Sequence, residues 1–521
     1  MLKPDSPATP VNTDLNPDAC YTALLARDAR FDGRWFVGVT STGIYCRPVC
    51  RVRTPMRKNC QFYASAALAE ANAFRPCMKC RPELAPKAGE SAWSVMDASR
   101  TLARQAAEWL DGCDDAEASV EHLADRLGIS SRHLRRIFMA EHGVSPLQYL
   151  LTRRLLLAKH LLTDSDRPVG EIALACGFGS QRRFNTAFVN HYRMPPTALR
   201  RADKALASDT GASCLRLSFR QPYDVMGLLS FLAPRAVPGV EQVDVASASV
   251  QRSVAVHHAG QRYCGHLRAS FNKRPGQVEI ELSASLWPAV ASLLPLLRAW
   301  LDLDADPQVI AASLAGAAQD DLASSASSAS SASAVSAGLR LPGCLDRYEL
   351  AVRAVLGQQV TVAAARTLAA RFVNRFGETL EGGPAGVERL FPSAERMAQA
   401  SPEQISELGI IRRRAESILE LARRWPTLAY ARKQGSTEDA LAELQSIAGI
   451  GPWTAHYMLM RGWSWPDAFP PGDVILRQQL SRDQPQLLSP KAYLAAAETW
   501  RPFRSYAVLL LWRQATLAAA R

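Results

Sequence analysis

Between residues 91 and 202 the apolar positions return every three or four residues, and part of the pattern runs twice. "LGISSRHLRRIFMAEHGVSP" (127–146) recurs as "CGFGSQRRFNTAFVNHYRMPP" (176–196), so Gly128 answers to Gly177, Phe138 to Phe188 and Pro146 to Pro196. Each copy reads as a short helix ending at glycine, a tight turn, and a second helix carrying arginines at about Ser130–Glu141 and Ser180–Asn190. "LQYLLTRRLLLAKHLL" reads as a long helix joining the copies. Between 213 and 282 the period changes to alternation in "SVAVHH", "YCGHLRASF" and "VEIELS", which predicts strands, with helical "VMGLLSFLAPRA" among them. Residues 323–338, "ASSASSASSASAVSAG", have nothing to bury and read as a flexible linker. From "RLPGCLDRYELAVRAVLGQQV" onward the pattern is helix after helix.

Two helix-turn-helix patterns in tandem point to major-groove recognition, with the second helix of each entering the groove. A plain helical bundle is the competing reading. Charge supports the first: the net balance is +12, and residues 1–202 hold 28 Lys+Arg against 20 Asp+Glu. That excess favours a polyanionic partner, nucleic acid before membrane. No apolar run approaches the ~18 residues of a membrane helix and the N-terminus lacks a secretory pattern, so a cytoplasmic, nucleoid-associated protein is expected.

A reducing compartment makes a disulfide framework a poor account of eleven cysteines. Seven are scattered singly. Cys46, Cys50, Cys77 and Cys80 are different, because C-x3-C and C-x2-C present four soft ligands from two short turns. Tetrahedral zinc is the expected occupant. Cys60 lies between the pairs at no chelating spacing and is left out.

Near the C-terminus, "LQSIAGIGPWTAHYMLMRGW" (444–463) joins two apolar helical stretches through Gly449 and Gly451. Small residues let such a turn approach a phosphate and aim backbone N–H groups at it, so a helix-hairpin-helix is expected. "FPPGDVILRQ" then delivers Asp473 to the start of another helix. Asp473 reads either as a helix cap or as an acid aimed into the cleft beside the hairpin.

On "QPYDVMGLLSFLAPRAVPGVE", "LRLPGCLDRYELAVRAVLGQQV", "GIGPWTAHY", "DAFPPGDVILRQ" and "WRPFRSYAVLLLW", the back of the chain resembles the AlkA-type 3-methyladenine DNA glycosylases II of the helix-hairpin-helix class. On "TSTGIYCRPVCRVR" and "NCQFYASAALAEANAFRPCMKC", residues 31–82 resemble the Ada-type zinc domain, and residues 100–200 its AraC-type DNA-binding part. No Pro-Cys-His-Arg motif occurs, so the Ada domain that repairs oxygen-6-alkylguanine is missing. The expected chain is multidomain and mainly α. It comprises a small α/β domain holding zinc on four cysteines (1–90), a tandem helix-turn-helix domain (91–202), a small α+β domain (203–322), the linker (323–338) and an all-α helix-hairpin-helix glycosylase domain (339–521).

The resemblance implies that Cys46 accepts a methyl group from a methylphosphotriester while Cys50, Cys77 and Cys80 help to hold the zinc. It places Thr42, Arg53 and Arg75 on the DNA backbone. Asp473 would be the glycosylase catalyst, and of Trp453, Tyr457, Trp500, Tyr506 and Trp512 it implies a base pocket of Trp453, Tyr457 and Trp512, with Trp512 the stacking face. Gly449 and Gly451 would bind DNA, with a monovalent cation expected at their turn. Lyase-active relatives carry a lysine where this chain has Trp453, and after Gly338 only Lys433 and Lys491 occur, which implies a monofunctional N-glycosylase. No cysteine follows Cys344, so the iron–sulfur cluster of endonuclease III-type relatives is not expected, and Gln359 stands where the AlkA type carries a leucine wedge. The implied partners are alkylated duplex DNA, promoter DNA and RNA polymerase, bound by a monomer that stays off membranes. The alternative is a regulatory DNA-binding protein whose glycosylase half is only a DNA clamp.

Overall fold

The computed structural model describes residues 15–28, 31–85, 98–112, 119–201, 213–321, 338–432, 436–481 and 489–519. The expected linker at 323–338, all but Gly338, and the boundaries near residues 90 and 202 lie outside them, as does Lys433. The chain divides into two units, one of residues 1–215 with 257–261 and 287–292, the other of 216–256, 262–286 and 293–521.

In the first unit, β1 (Phe36–Val39), β2 (Ile44–Cys46), β3 (Cys60–Tyr63) and β4 (Arg75–Pro76) form a sheet in the order β3-β1-β2-β4. β1 is antiparallel to β2 and β3, whereas β2 and β4 run parallel with Tyr45 opposite Pro76. That parallel pair places Cys46 beside Cys77, whose N–H donates to Tyr45 O at 2.9 Å. Trp35 and Phe62 meet edge to face at 5.2 Å under the sheet.

The helical repeat folds as two matched pairs. Val120–Arg126 and Ser131–His142 form the first, Val169–Ala175 and Gln181–Tyr192 the second, and Pro146–Asp164 joins them. Ser130 and Ser180 cap the second helix of each pair by accepting the N–H of His133 and Arg183. Gly128 and Gly177 both have positive φ, which lets the first helix end in a left-handed turn. Phe138 is fully buried against Leu123, Leu134 and Leu150, and Phe184, Phe188 and Tyr192 stack along the second copy.

Within this unit the thiol segment is tied to the joining helix. Lys159, 1 % exposed, sends Nζ to the Glu83 carboxylate and, at 3.2 Å, to Cys77 O. Arg81 grips both oxygens of Asp164. A buried Lys–Glu pair survives only when hydrogen bonds satisfy both ends, and these do.

A five-stranded sheet of β5 (Ser213–Ser218), β6 (Glu241–Asp244), β7 (Ser249–His258), β8 (Gln261–Arg274) and β9 (Gln277–Leu282) has the order β5-β9-β8-β7-β6. The helices that follow in the second unit enclose two apolar clusters, one around Phe372, Leu419, Ile450 and Met458, the other around Met460, Phe469, Tyr493 and Val508. The expected succession of helices is interrupted by one short ladder, Glu378–Thr379 against Arg389–Leu390. "EGGPAG" between them supplies a turn that two-residue strands can close.

Three buried charges, Glu241, Arg252 and Glu349, cluster with the half-buried Arg353 in this unit. Arg353 Nη1 meets Glu241 at 2.8 Å and Glu349 at 2.7 Å, while Arg252 reaches both carboxylates from the other side. Burial pushes the Glu241 carboxyl up, but Arg353 and Arg252 outweigh it and hold it below the usual range. A depressed carboxyl stabilises the fold above its unfolded value of about 4.3 and loses that contribution as pH falls through the folded value. Replacing Arg252 by Met should cost about 3–5 kcal/mol, because it leaves buried carboxylate under-compensated. Acid unfolding followed by circular dichroism should accordingly begin at higher pH in Arg252→Met than in the parent.

Candidate functional site

Two groups of residues in the structure are arranged for chemistry, one in each unit. In the first, the ligand atoms of Cys46, Cys50, Cys77 and Cys80 all lie within 4.8 Å of one another. β2 delivers Cys46, the turn after it delivers Cys50, and the segment after β4 delivers Cys77 and Cys80. Cys60 stays apart, its thiol donating to Met56 O at 3.4 Å. Four sulfurs so close, three of them buried, fit a tetrahedral thiophilic cation.

The four sulfurs are not equivalent. Lys79 N–H donates to Cys77 Sγ and Arg47 N–H to Cys80 Sγ, each at 3.4 Å. Among the described residues no backbone N–H is aimed at Cys46 Sγ. A sulfur whose lone pairs are not engaged by donors is the better nucleophile. Spacing in the sequence identifies the cluster but carries no trace of this distinction.

Around the cluster, Thr42, Arg53 and Arg75 are all exposed. Thr42 sits in the turn from β1 to β2, with Oγ1 donating to Val39 O at 3.2 Å. Arg75 lies opposite Ile44, and its N–H donates to Gly43 O at 2.8 Å, so the Thr42 turn and Arg75 share one end of the sheet. The Arg47 guanidinium points inward instead, to Asp32 and to Cys80 O at 3.2 Å.

In the second unit, Thr437–Gln445 and Pro452–Gly462 are the two helices of the hairpin. Gly449 has φ of +90°, and a Cβ there would sit 2.3 Å from Ser417 Oγ. A Cβ on Gly451, the cap of Pro452–Gly462, would meet nothing within 4 Å. Gly449 is therefore required by the fold, whereas Gly451 leaves the helix N-terminus open to an approaching anion. Gln358 Nε2 braces the turn through Gly449 O at 2.8 Å and Thr454 Oγ1 at 3.1 Å. The next residue, Gln359, is exposed with φ of +54°.

Asp473 is 7 % exposed, and the capping reading holds. Its Oδ1 caps Val474–Leu480 by accepting Leu476 N–H at 2.9 Å, and its Oδ2 accepts the indole N–H of Trp453 at 2.8 Å. The loop before it is pinned where Phe469 N–H donates to His456 Nδ1 at 3.4 Å. Burial and the nearby Arg504 push that imidazole down to about 4, so it is neutral near pH 7 and free to accept.

Trp453 stacks on Tyr457 with centroids 5.3 Å apart, and Tyr457 meets Trp512 at 6.3 Å. Trp453, Tyr457, Trp512 and Asp473 are thus brought together in one chain of contacts. Tyr506 is buried with its hydroxyl on Asp302, and Trp500 packs against Phe469, so both serve the core. Lys491 is the second residue of the helix Pro490–Ala497.

Comparison with known proteins agrees with this division. Residues 19–83 match the metal binding domain of Ada, 123–202 a helix-turn-helix domain, 214–346 the AlkA N-terminal domain, and 352–503 the HhH-GPD superfamily of base excision DNA repair proteins. A probable bifunctional transcriptional activator/DNA repair enzyme AlkA of Mycobacterium tuberculosis is 35 % identical over 95 % of this chain and 96 % of its own length. DNA-3-methyladenine glycosylase 2 of Escherichia coli is 37 % identical over 57 % of this chain and 95 % of its own. The bifunctional transcriptional activator/DNA repair enzyme Ada of Escherichia coli is 37 % identical over 26 % of this chain but only 35 % of its own.

If the four thiols form one metal centre, purified protein should carry one zinc per chain by elemental analysis. Cys77→Ser should lower that content and the melting temperature together, because metal binding here is part of folding. The arrangement of four domain types and the near full-length likeness together show that this chain belongs to the family of bifunctional transcriptional activator/DNA repair AlkA proteins.

Proposed function

We propose that this chain repairs alkylated DNA in two ways and reports the damage to transcription. The observation that carries the catalytic half is the Asp473 carboxylate, fixed by Leu476 and Trp453 beside a wall of aromatic rings and the hairpin turn. A base inside a duplex must be flipped out to be reached, and the cleft offers Trp512 and Tyr457 to stack on it. Alkylated purines carry positive charge, which weakens the glycosidic bond and favours electron-rich rings. With its hydrogen-bonded lone pairs engaged, Asp473 presents the remaining ones to the sugar, where it offsets the developing oxocarbenium charge and orients the attacking water. The products are a free base and an abasic site. Trp453 occupies the position from which a lysine would form a Schiff base, which supports hydrolysis without strand cleavage. Gly451 and its helix N-terminus suit a DNA phosphate, with a monovalent cation as a further occupant of the turn.

The first unit supports a stoichiometric reaction. Bound to Cys46, Cys50, Cys77 and Cys80, zinc would keep the sulfurs deprotonated at neutral pH. Cys46, whose sulfur lacks the backbone donors of Cys77 and Cys80, attacks the methyl carbon of a methylphosphotriester; the methyl C–O bond breaks and the phosphodiester leaves as an anion. Thr42, Arg53 and Arg75 would hold the backbone during this step, and their exposure supports that reading. Cys46 ends as a neutral thioether. Losing one negative charge ~6 Å from a phosphate relieves ~2–3 kcal/mol at an effective dielectric of ~20, roughly a hundredfold in affinity. Methylation would then drive the helix-turn-helix pairs onto promoter DNA, where a monomer would recruit RNA polymerase in the cytoplasm.

Asp473→Asn should lower release of 3-methyladenine and 7-methylguanine by at least ~10²–10³, since an amide cannot offset the sugar cation. Its melting temperature and zinc content should be unchanged. Borohydride trapping of a covalent adduct between the parent protein and DNA would overturn the monofunctional assignment.

Exposure to methylated DNA should add one methyl group to Cys46, read by peptide mass mapping, and should tighten promoter binding in a mobility-shift titration. A methyl on Cys60, or unchanged affinity after Cys46 is methylated, contradicts the switch.

A further inference from the structure

Two guanidiniums stand behind the rings of the second unit's cleft, and neither has a carboxylate partner among the described residues. Arg461, 6 % exposed, donates to Pro342 O at 2.8 Å, to Gly343 O at 3.3 Å and to the Tyr457 hydroxyl oxygen at 2.8 Å. Arg235 lies 3.9 Å over the Phe231 ring, which is also 5.2 Å from the Arg461 guanidinium, and it donates to Phe231 O at 2.9 Å. The Arg235 charge also acts on Tyr457. Carbonyls accept hydrogen bonds without cancelling charge. Arg353, the next arginine, is already matched by Glu241 and Glu349.

With a neutral phenol at Tyr457, this cleft would place two uncompensated cations behind the rings that receive the base. That is a poor receptor for a purine bearing its own positive charge. A guanidinium is a donor only, so the Tyr457 oxygen meets Arg461 as an acceptor. Its own proton has no acceptor among the described residues.

We propose that Tyr457 works as a phenolate, its proton released to bulk water, and that this anion makes the cleft prefer cationic alkylated purines over neutral damaged ones. The inference rests on the base-pocket reading above and assigns it a charge. Burial alone would push the Tyr457 phenol up, yet Arg461, Arg235 and Arg353 together hold it below its ordinary value. Arg461 acts from its own helix, Arg235 from the turn Ala233–Arg235 and Arg353 from Arg347–Leu356. Trp453, Trp512 and Phe231 bring no charge, and Asp473 meets Trp453. The ionised fraction grows with pH, so the preference strengthens as pH rises toward the phenol's own titration.

Two readouts on the full chain test this. Near-ultraviolet difference absorbance over about pH 6 to 10 should show one tyrosinate that forms below the others and is missing in Tyr457→Phe. Single-turnover release from matched duplexes should then separate the lesions. Tyr457→Phe should lose roughly tenfold to a hundredfold on cationic 7-methylguanine, and less than about threefold on neutral hypoxanthine. Absence of the early tyrosinate overturns the proposal, as does an equal loss on both bases, which would leave Tyr457 a plain stacking wall in an intact pocket. No loss on either base in Tyr457→Phe or in Trp512→Ala overturns the pocket reading itself.

Discussion

An ionised group taken out of water costs several kcal/mol unless fixed donors or opposite charge replace the solvent, and both chemical centres of this chain are built around that cost. Asp473 meets it with two N–H donors, one from its own helix and one from an indole twenty positions earlier in the sequence. The thiol cluster meets it with the cation its geometry fits, and with backbone N–H groups on Cys77 and Cys80. The same constraint explains the tie between Lys159, Glu83 and Cys77 O, which fastens the metal loop to the helix that joins the DNA-reading pairs.

On the function proposed above, the two centres use their donors differently because each has a different task. A catalyst must return to the same geometry at every turnover, so a carboxylate locked at both oxygens suits it. A reagent consumed once has no geometry to recover. On the proposed reading Cys46 is such a reagent, and it has none of the N–H donors that engage Cys77 and Cys80.

Local features were the legible ones. The metal cluster was readable because chelation imposes short spacings, and the tandem helix pairs because each turn needs a glycine with positive φ and a serine cap at fixed offsets. The hairpin and the Asp473 loop were readable for the same reason. What could not be read were contacts that depend on tertiary placement. Trp453 was expected only as a wall of the base pocket; it proves also to hold Asp473, across a separation that no periodicity records. Tyr506 and Trp500 were as aromatic as Trp512 in the sequence, and only packing against Asp302 and Phe469 assigns them to the core. The guanidiniums behind Tyr457 come from segments more than two hundred residues apart in the chain, Arg235 and Arg461.

The central claim is that one chain carries two independent chemistries, one stoichiometric at Cys46 and one catalytic at Asp473. A single assay on duplex DNA methylated at both bases and phosphates tests it, by counting methyl groups gained by the protein and free bases released into solution. The parent should saturate at one methyl per chain while base release continues through many turnovers. Cys46→Ser should abolish only the methyl transfer, and Asp473→Asn only the base release. Loss of both activities through either substitution, with the fold and zinc retained, would contradict the account.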